Sequence, residues 1–305
     1  MRRWSVVVLS SSIVLLGLGL AYYQEITWSW QYLKHESQRP DYSSEPIPTC
    51  LGCNLLFVSL PDWDGQLDSS LAKLESRTFS FDRAYTNSSD PFKAESSLFY
   101  SIYPQHQNSS LPRDRSLFEI LKNRGYTIID QATTLPSAPF AGHLTFLNSQ
   151  EFGLFLKNQN LLKNTLLVFF AFSGKPDDRL HVPLALYHPE VKQGRSIPNL
   201  ISFVDLAPIL LNLIGSPAPN TAEGRNLFSP DPDRPVYGLE RDLDFTFDGQ
   251  WKLVKNKDQS ESLFYLPLDP LQKQNLVNLQ TPWTRTAYQR LKQKTAQLET
   301  MTGAP

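Results

Sequence analysis

Cys50 and Cys53 are the two cysteines of this chain, and their C-x-x-C spacing suggests three chemistries. A structural zinc site needs a second ligand pair, and no further cysteine follows. A thiol–disulfide redox motif opens a helix after a strand, whereas this pair immediately precedes the apolar run 54–60, which reads as a strand. A local disulfide or a pair of free thiols remains. Among the histidines, His181 stands before Val-Pro-Leu and reads as solvated or hydrogen-bonded, and His188 precedes Pro189 and reads as structural. His106 and His143 fall in segments read as polar loops and receive no role. Thr86 to Asp90 (TNSSD) has the composition of a solvated turn.

The elements that must position these residues alternate. The run 54–60 is continuously apolar, as a strand buried on both faces would be. Leu67, Leu71 and Leu74 recur at helical spacing. Ser116 and Glu119 form a capping box ahead of a helix closed by Gly125, and 126–130 follows as a strand. A helix over 149–163 leads into a second buried strand, 165–172, and then a third, 182–187. A helix over 202–214 carries a Ser202/Asp205 box and ends at Gly215. This order predicts an α/β fold: a doubly wound, mostly parallel sheet flanked by helices. The tail differs. Strands at 236–241, 245–256 (with an Asp248-Gly249 hairpin turn) and 263–268 predict a small antiparallel subdomain, closed by a helix that Thr281 caps and Pro282 begins.

With 29 basic and 30 acidic side chains among 305 residues, the chain lacks the basic excess of a nucleic-acid binder. Its start carries another signal. Arg2 and Arg3 precede 4–23, apolar apart from Ser5 and Ser10–Ser12, and roughly 20 apolar residues span a hydrocarbon core of about 30 Å. The arginines favour a cytoplasmic start, and the aromatic belt of Tyr22, Tyr23, Trp28 and Trp30 favours an uncleaved anchor. Gly19-Leu20-Ala21 offers a cleavage site as the alternative. Either way the body is expected in the periplasm or outside the cell, where a Cys50–Cys53 disulfide is permitted. The expected organisation is therefore 1–23 anchor or signal, 24–49 linker, 50–230 α/β domain and 231–305 C-terminal subdomain.

Several segments, taken in order, resemble the sulfatase family of the alkaline-phosphatase superfamily. CNLLFVSLPDWDG resembles its first strand and aspartate-bearing turn; SSLFYSIYP, the helix after its nucleophile; SLFEILKNRGYTIID, its next helix–strand unit. TLLVFFAFSG takes the place of the strand that ends in an Asp-His metal pair. HVPLALYHP, FVDLAPILLNLIG and EGRNLF follow in family order, and WKLVKN with LFYLPLDPLQKQNLVN is similar to its C-terminal subdomain. The resemblance implies an alkaline-phosphatase-like sandwich. It also implies one divalent cation, usually calcium, at the carboxyl ends of the strands, and a formylglycine, Ser or Thr nucleophile. A hard cation takes roughly six to eight oxygens and polarises the ester oxygen.

Carried over residue by residue, that site is eroded. Pro61 and Asp62 stand where the family has an Asp-Asp pair; Asp62 and Asp64 are the candidate metal ligands. Phe172-Ser173 replaces the Asp-His pair, and phenylalanine has no lone pair for a metal. Pro91 falls on the nucleophile position without gaps. With a two-residue gap, Ser89 becomes the nucleophile and Lys93 takes the place of an arginine, losing its bidentate fork. His181 lies where the family places a further basic residue. The resulting expectation is a membrane-anchored, catalytically degenerate sulfatase-like protein that binds or scaffolds, with no cofactor. The alternatives are a divergent sulfuric- or phosphoric-ester hydrolase or transferase using calcium, and a structural component of a membrane complex that uses the aromatic collar at 22–32.

Overall fold

The computed structural model describes residues 26–34, 45–61, 63, 65, 74, 76–107, 116–130, 139–146, 149–157, 162–174, 178–226 and 234–301. The proposed membrane segment 1–23, and Leu67 and Leu71, lie outside them. No helix among the described residues is long and apolar enough to cross a membrane.

A seven-stranded sheet runs in the order β3-β4-β1-β5-β6-β2-β7. Its strands are β1 (Asn54–Ser59), β2 (Thr78–Tyr85), β3 (Thr127–Asp130), β4 (Phe140–Thr145), β5 (Thr165–Phe170), β6 (Leu184–Tyr187) and β7 (Ser196–Ser202). Neighbours are parallel except β6, which is antiparallel to both β5 and β2. β1 sits near the centre and is buried throughout. Its alternate residues serve two cores: Leu55 and Phe57 pack on one face, Leu56 and Val58 on the other. The first face is covered by α2 (Pro91–Tyr100), α3 (Leu117–Lys122) and α5 (Phe203–Leu213), the second by α4 (Ser149–Lys157) through Phe152. α4 is described to Lys157, Leu162 and Lys163 lie in a turn rather than in the expected helix, and β5 stops at Phe170 rather than Phe172.

Capping follows the sequence signals. The Ser116 hydroxyl accepts the Glu119 N–H at 3.1 Å, and Asp205 accepts the Ser202 N–H at 2.9 Å. Cys50 and Cys53 are bridged, and the Cys50 N–H donates to Leu213 O at the end of α5.

The tail forms a four-stranded antiparallel sheet, β8 (Val236–Glu240), β9 (Leu243–Phe247), β10 (Trp251–Lys255) and β11 (Glu261–Tyr265), with α6 (Pro282–Met301) against it. Residues 26–34, expected within a linker, form a helix, α1. Trp28 and Tyr32, one turn apart, pack into the aromatic core of this second sheet beside Trp251 and Tyr265. Trp28 is therefore a core residue here, not part of an exposed collar.

The two sheets meet at the turn after β2. Asn87 is buried and bonded on every side: its side-chain amide donates to Tyr237 O at 2.6 Å, its side-chain oxygen accepts the Val204 N–H at 3.0 Å, and its backbone carbonyl accepts the Leu239 N–H at 2.8 Å. Gly238 makes that approach feasible, since a Cβ there would lie 2.1 Å from Asn87 O.

Candidate active site

In open α/β sheets, chemistry belongs at the carboxyl ends of the parallel strands. Here β1, β4 and β5 end side by side at Ser59, Thr145 and Phe170. The Ser59 hydroxyl lies 2.8 Å from Thr145 Oγ1 and 3.1 Å from His143 Nε2, so the polar groups of this edge bond to one another. Among the described residues, aromatic side chains also pack around His143. His143 packs against Phe99, Phe170 and Phe172 with ring centroids 5.4, 5.7 and 6.2 Å away. Phe172 meets Phe170 edge-on at 4.9 Å and Phe203 at 6.1 Å. Each such ring pair contributes about 0.5–1.5 kcal/mol beyond burial, and none of these rings offers the oxygen donors that a hard cation takes.

Ser59 and Thr145 offer only hydroxyls and His143 a nitrogen among phenylalanines, a donor set without the carboxylates that calcium takes. Among the described residues no three His, Cys, Asp or Glu side chains group as a metal would need. Asp62 and Asp64, the candidate ligands, lie outside the described residues. His143 itself is a strand residue on β4, not a loop residue. The weak alternation of FAGHLT was the one available signal for it. Beside it opens a cleft of about 380 Å³ lined by Glu95, Ser96, Phe99, Ser116 and His143. Burial pushes the Glu95 carboxyl above its ordinary range.

Ser89 and Lys93 both lie against the turn between β8 and β9. Ser89 lies between the carboxyl end of β2 and the start of α2, where Asp90 caps the helix by accepting the Phe92 N–H at 2.9 Å. The Ser89 hydroxyl accepts the Arg241 N–H at 3.0 Å, and Lys93 Nζ lies 3.9 Å from the Asp242 carboxylate. Both residues thus contact the β8–β9 turn, and the Lys93 pair is an exposed one of little energetic weight. His181 is held elsewhere: its Nε2–H donates to Asp82 O at 2.9 Å and its ring packs on Tyr85 at 5.1 Å. His106, read as a loop residue without a role, pairs with Glu223 at 2.8 Å.

A larger cleft, about 560 Å³, lies between the sheets. Phe245 and Phe247 line it with Tyr85, Asp178, Arg179 and Arg241, and buried Lys252 pairs there with the partly exposed Glu240. Lys252 is 2% exposed. Burial pulls its ammonium below the ordinary lysine value, and the Glu240 carboxylate opposes that shift.

Solved structures share this architecture. The phosphonate monoester hydrolase of Agrobacterium radiobacter superposes with a TM-score of 0.63 at 13% identity, covering 80% of this chain and 96% of that one. A 2-O GAG sulfatase superposes at 0.61 with 12% identity, covering 82% and 92%. The fold is sulfatase-like. Curated relatives agree over shorter stretches. An ulvan-active sulfatase of Formosa agariphila is 29% identical over 136 residues, 37% of this chain and 22% of that protein. Arylsulfatase K of Canis lupus familiaris is 27% identical over 87 residues, 24% of this chain and 16% of its own length. These sulfatase-like matches therefore span less than a third of either curated relative. No family model matches the chain.

Proposed function

We propose that this chain is a membrane-anchored, extracytoplasmic sulfatase-like pseudoenzyme that serves as a binding or scaffolding subunit, without a metal cofactor. One observation carries the reading: the edge where β1, β4 and β5 end is filled by Phe170, Phe172, Phe99 and His143 packed ring against ring. Phe172 stands where the resemblance implies a metal-binding aspartate. The scaffold's hydrophobic layers persist because they do not depend on that site. The cleft between the sheets, with its mixed charges and apolar wall, is the natural place for a ligand or partner side chain. Anchoring rests on the arginine-flanked apolar segment 1–23, and the partner it implies is a protein of the same membrane complex.

Titration calorimetry of the full chain in mild detergent with calcium, magnesium, manganese and zinc should show no stoichiometric binding. A submillimolar, one-to-one site abolished by Asp62→Asn would overturn the reading.

A second reading, an ester hydrolase or transferase with Ser89 as nucleophile, draws on the position of Ser89 before the first turn of α2. It requires turnover of an aryl sulfate or phosphate ester that Ser89→Ala abolishes. We expect no turnover from either protein.

A further inference from the structure

Helix α1 has two apolar faces, and the sheet behind it uses one. Trp28 and Tyr32 point into the C-terminal core at 8% and 9% exposure. Tyr32 also meets Trp283 at the start of α6, 5.3 Å between ring centroids. On the opposite side Ile26, Trp30 and Leu33 are 49%, 73% and 50% exposed. Their spacing (i, i+4, i+7) puts them in one stripe within about 60° of arc. A tryptophan flanked by two aliphatic residues is a poor surface for water and a good one for the boundary between headgroups and acyl chains.

The chain itself selects the occupant. The apolar stretch 4–23 ends with only Gln24 and Glu25 before Ile26. Three Cα–Cα steps span at most about 11 Å, so a bilayer that holds 4–23 has its polar boundary within reach of α1. We propose that the outward stripe of α1 (Ile26, Trp30 and Leu33) lies in the interfacial layer of the membrane, so that the C-terminal sheet is seated against the bilayer through Trp28 and Tyr32. This goes beyond the anchoring reading and rests on it. The orientation follows from packing: α1 is fixed to β10 and β11, so a docked stripe makes the C-terminal subdomain the membrane-proximal part of the body.

The test uses the full chain reconstituted into phosphatidylcholine/phosphatidylglycerol vesicles. Because Cys50 and Cys53 are bridged, a spin label can be placed singly through Trp30→Cys, Leu33→Cys or, on the body, Phe92→Cys. Phe92 is 82% exposed. Labels at 30 and 33 should collide preferentially with oxygen over an aqueous nickel chelate, whereas the label at 92 should show the reverse. Alkaline carbonate washing separates the two ideas. Chain retained in the vesicles with labels at 30 and 33 as water-accessible as that at 92 would overturn the docked stripe alone. Chain released by carbonate, with a mature start near residue 22, would overturn the anchoring reading and the docking that rests on it.

Discussion

His188 should make this fold sensitive to mild acid. Its side chain is fully buried after β6, and both ring nitrogens are committed. Nε2 lies 2.9 Å from Pro48 O, which can only accept, and Nδ1 lies 3.2 Å from the Glu190 N–H, which can only donate. The ring is thus held as the neutral Nε2–H tautomer, and a second proton would go to Nδ1 and break the bond from Glu190. Burial holds the imidazole below its ordinary value near 6.5, and the Pro48 carbonyl and the Glu190 carboxylate only partly oppose that. Below about pH 6.5 the unfolded chain binds a proton that the folded site refuses, so stability falls as pH falls toward the folded value and is recovered above the unfolded one. One proton corresponds to at most about 1.4 kcal/mol per pH unit. Between pH 6.5 and 5 that amounts to up to roughly 2 kcal/mol, a large part of a typical folding free energy. Urea unfolding of the unreduced protein in mild detergent, at half-unit steps from pH 8 to 5, measures it. His188→Gln cannot titrate, so the stability difference between variant and parent should be flat above about pH 7.5 and should shift in the variant's favour below 6.5. A difference that stays flat down to pH 5 would refute the reasoning.

The ion pair between buried Lys252 and partly exposed Glu240 makes a second stability prediction. Glu240→Gln strands the Lys252 ammonium and should destabilise by about 3–5 kcal/mol, while Glu240→Gln with Lys252→Met should recover most of the loss; both are readable by urea titration. Trp28→Ala removes a ring that contacts Tyr32, Trp251 and Tyr265 and should cost about 3–5 kcal/mol. Hydrogen exchange should then quicken first in β10 and β11; unchanged protection there would show that α1 does not brace the sheet.

Where the chain obeys one strong local rule, its sequence could be read directly. β1 and β5 are continuous apolar runs, Asp248-Gly249 makes its hairpin turn with Gly249 at φ +95°, and Thr281-Pro282 starts α6. Three strands escaped. β2 alternates as a half-buried strand should, with Phe79 and Phe81 inward, but charged Asp82 and Arg83 blur the pattern. β4 carries Gly142 and His143 in six residues. β7 contains Pro198, which argues against a strand; yet β7 is the sheet's edge, and its register shifts where Phe81 pairs with Ile197 and Arg83 with Leu200, leaving Pro198 in a bulge where its missing N–H is tolerated. α1 escaped because Trp, Thr, Ser and Tyr are weak helix formers; tertiary packing of Trp28 and Tyr32 decides it. The site divides the same way. That Phe172 offers no lone pair is legible from residue type alone, whereas the hydrogen bonding of Ser59 to His143 and of Ser89 to Arg241 depends on long-range register that no local pattern encodes.

Asn87 is the joint between the two layers. One side chain and one carbonyl, fitted against Gly238, fasten the tail's sheet to the body from within the very turn that leads to Ser89. Groups at the rim can be exchanged one by one without loosening that joint, whereas a change at Asn87 or Gly238 would part the layers. The keystone answers to mechanics rather than to catalysis.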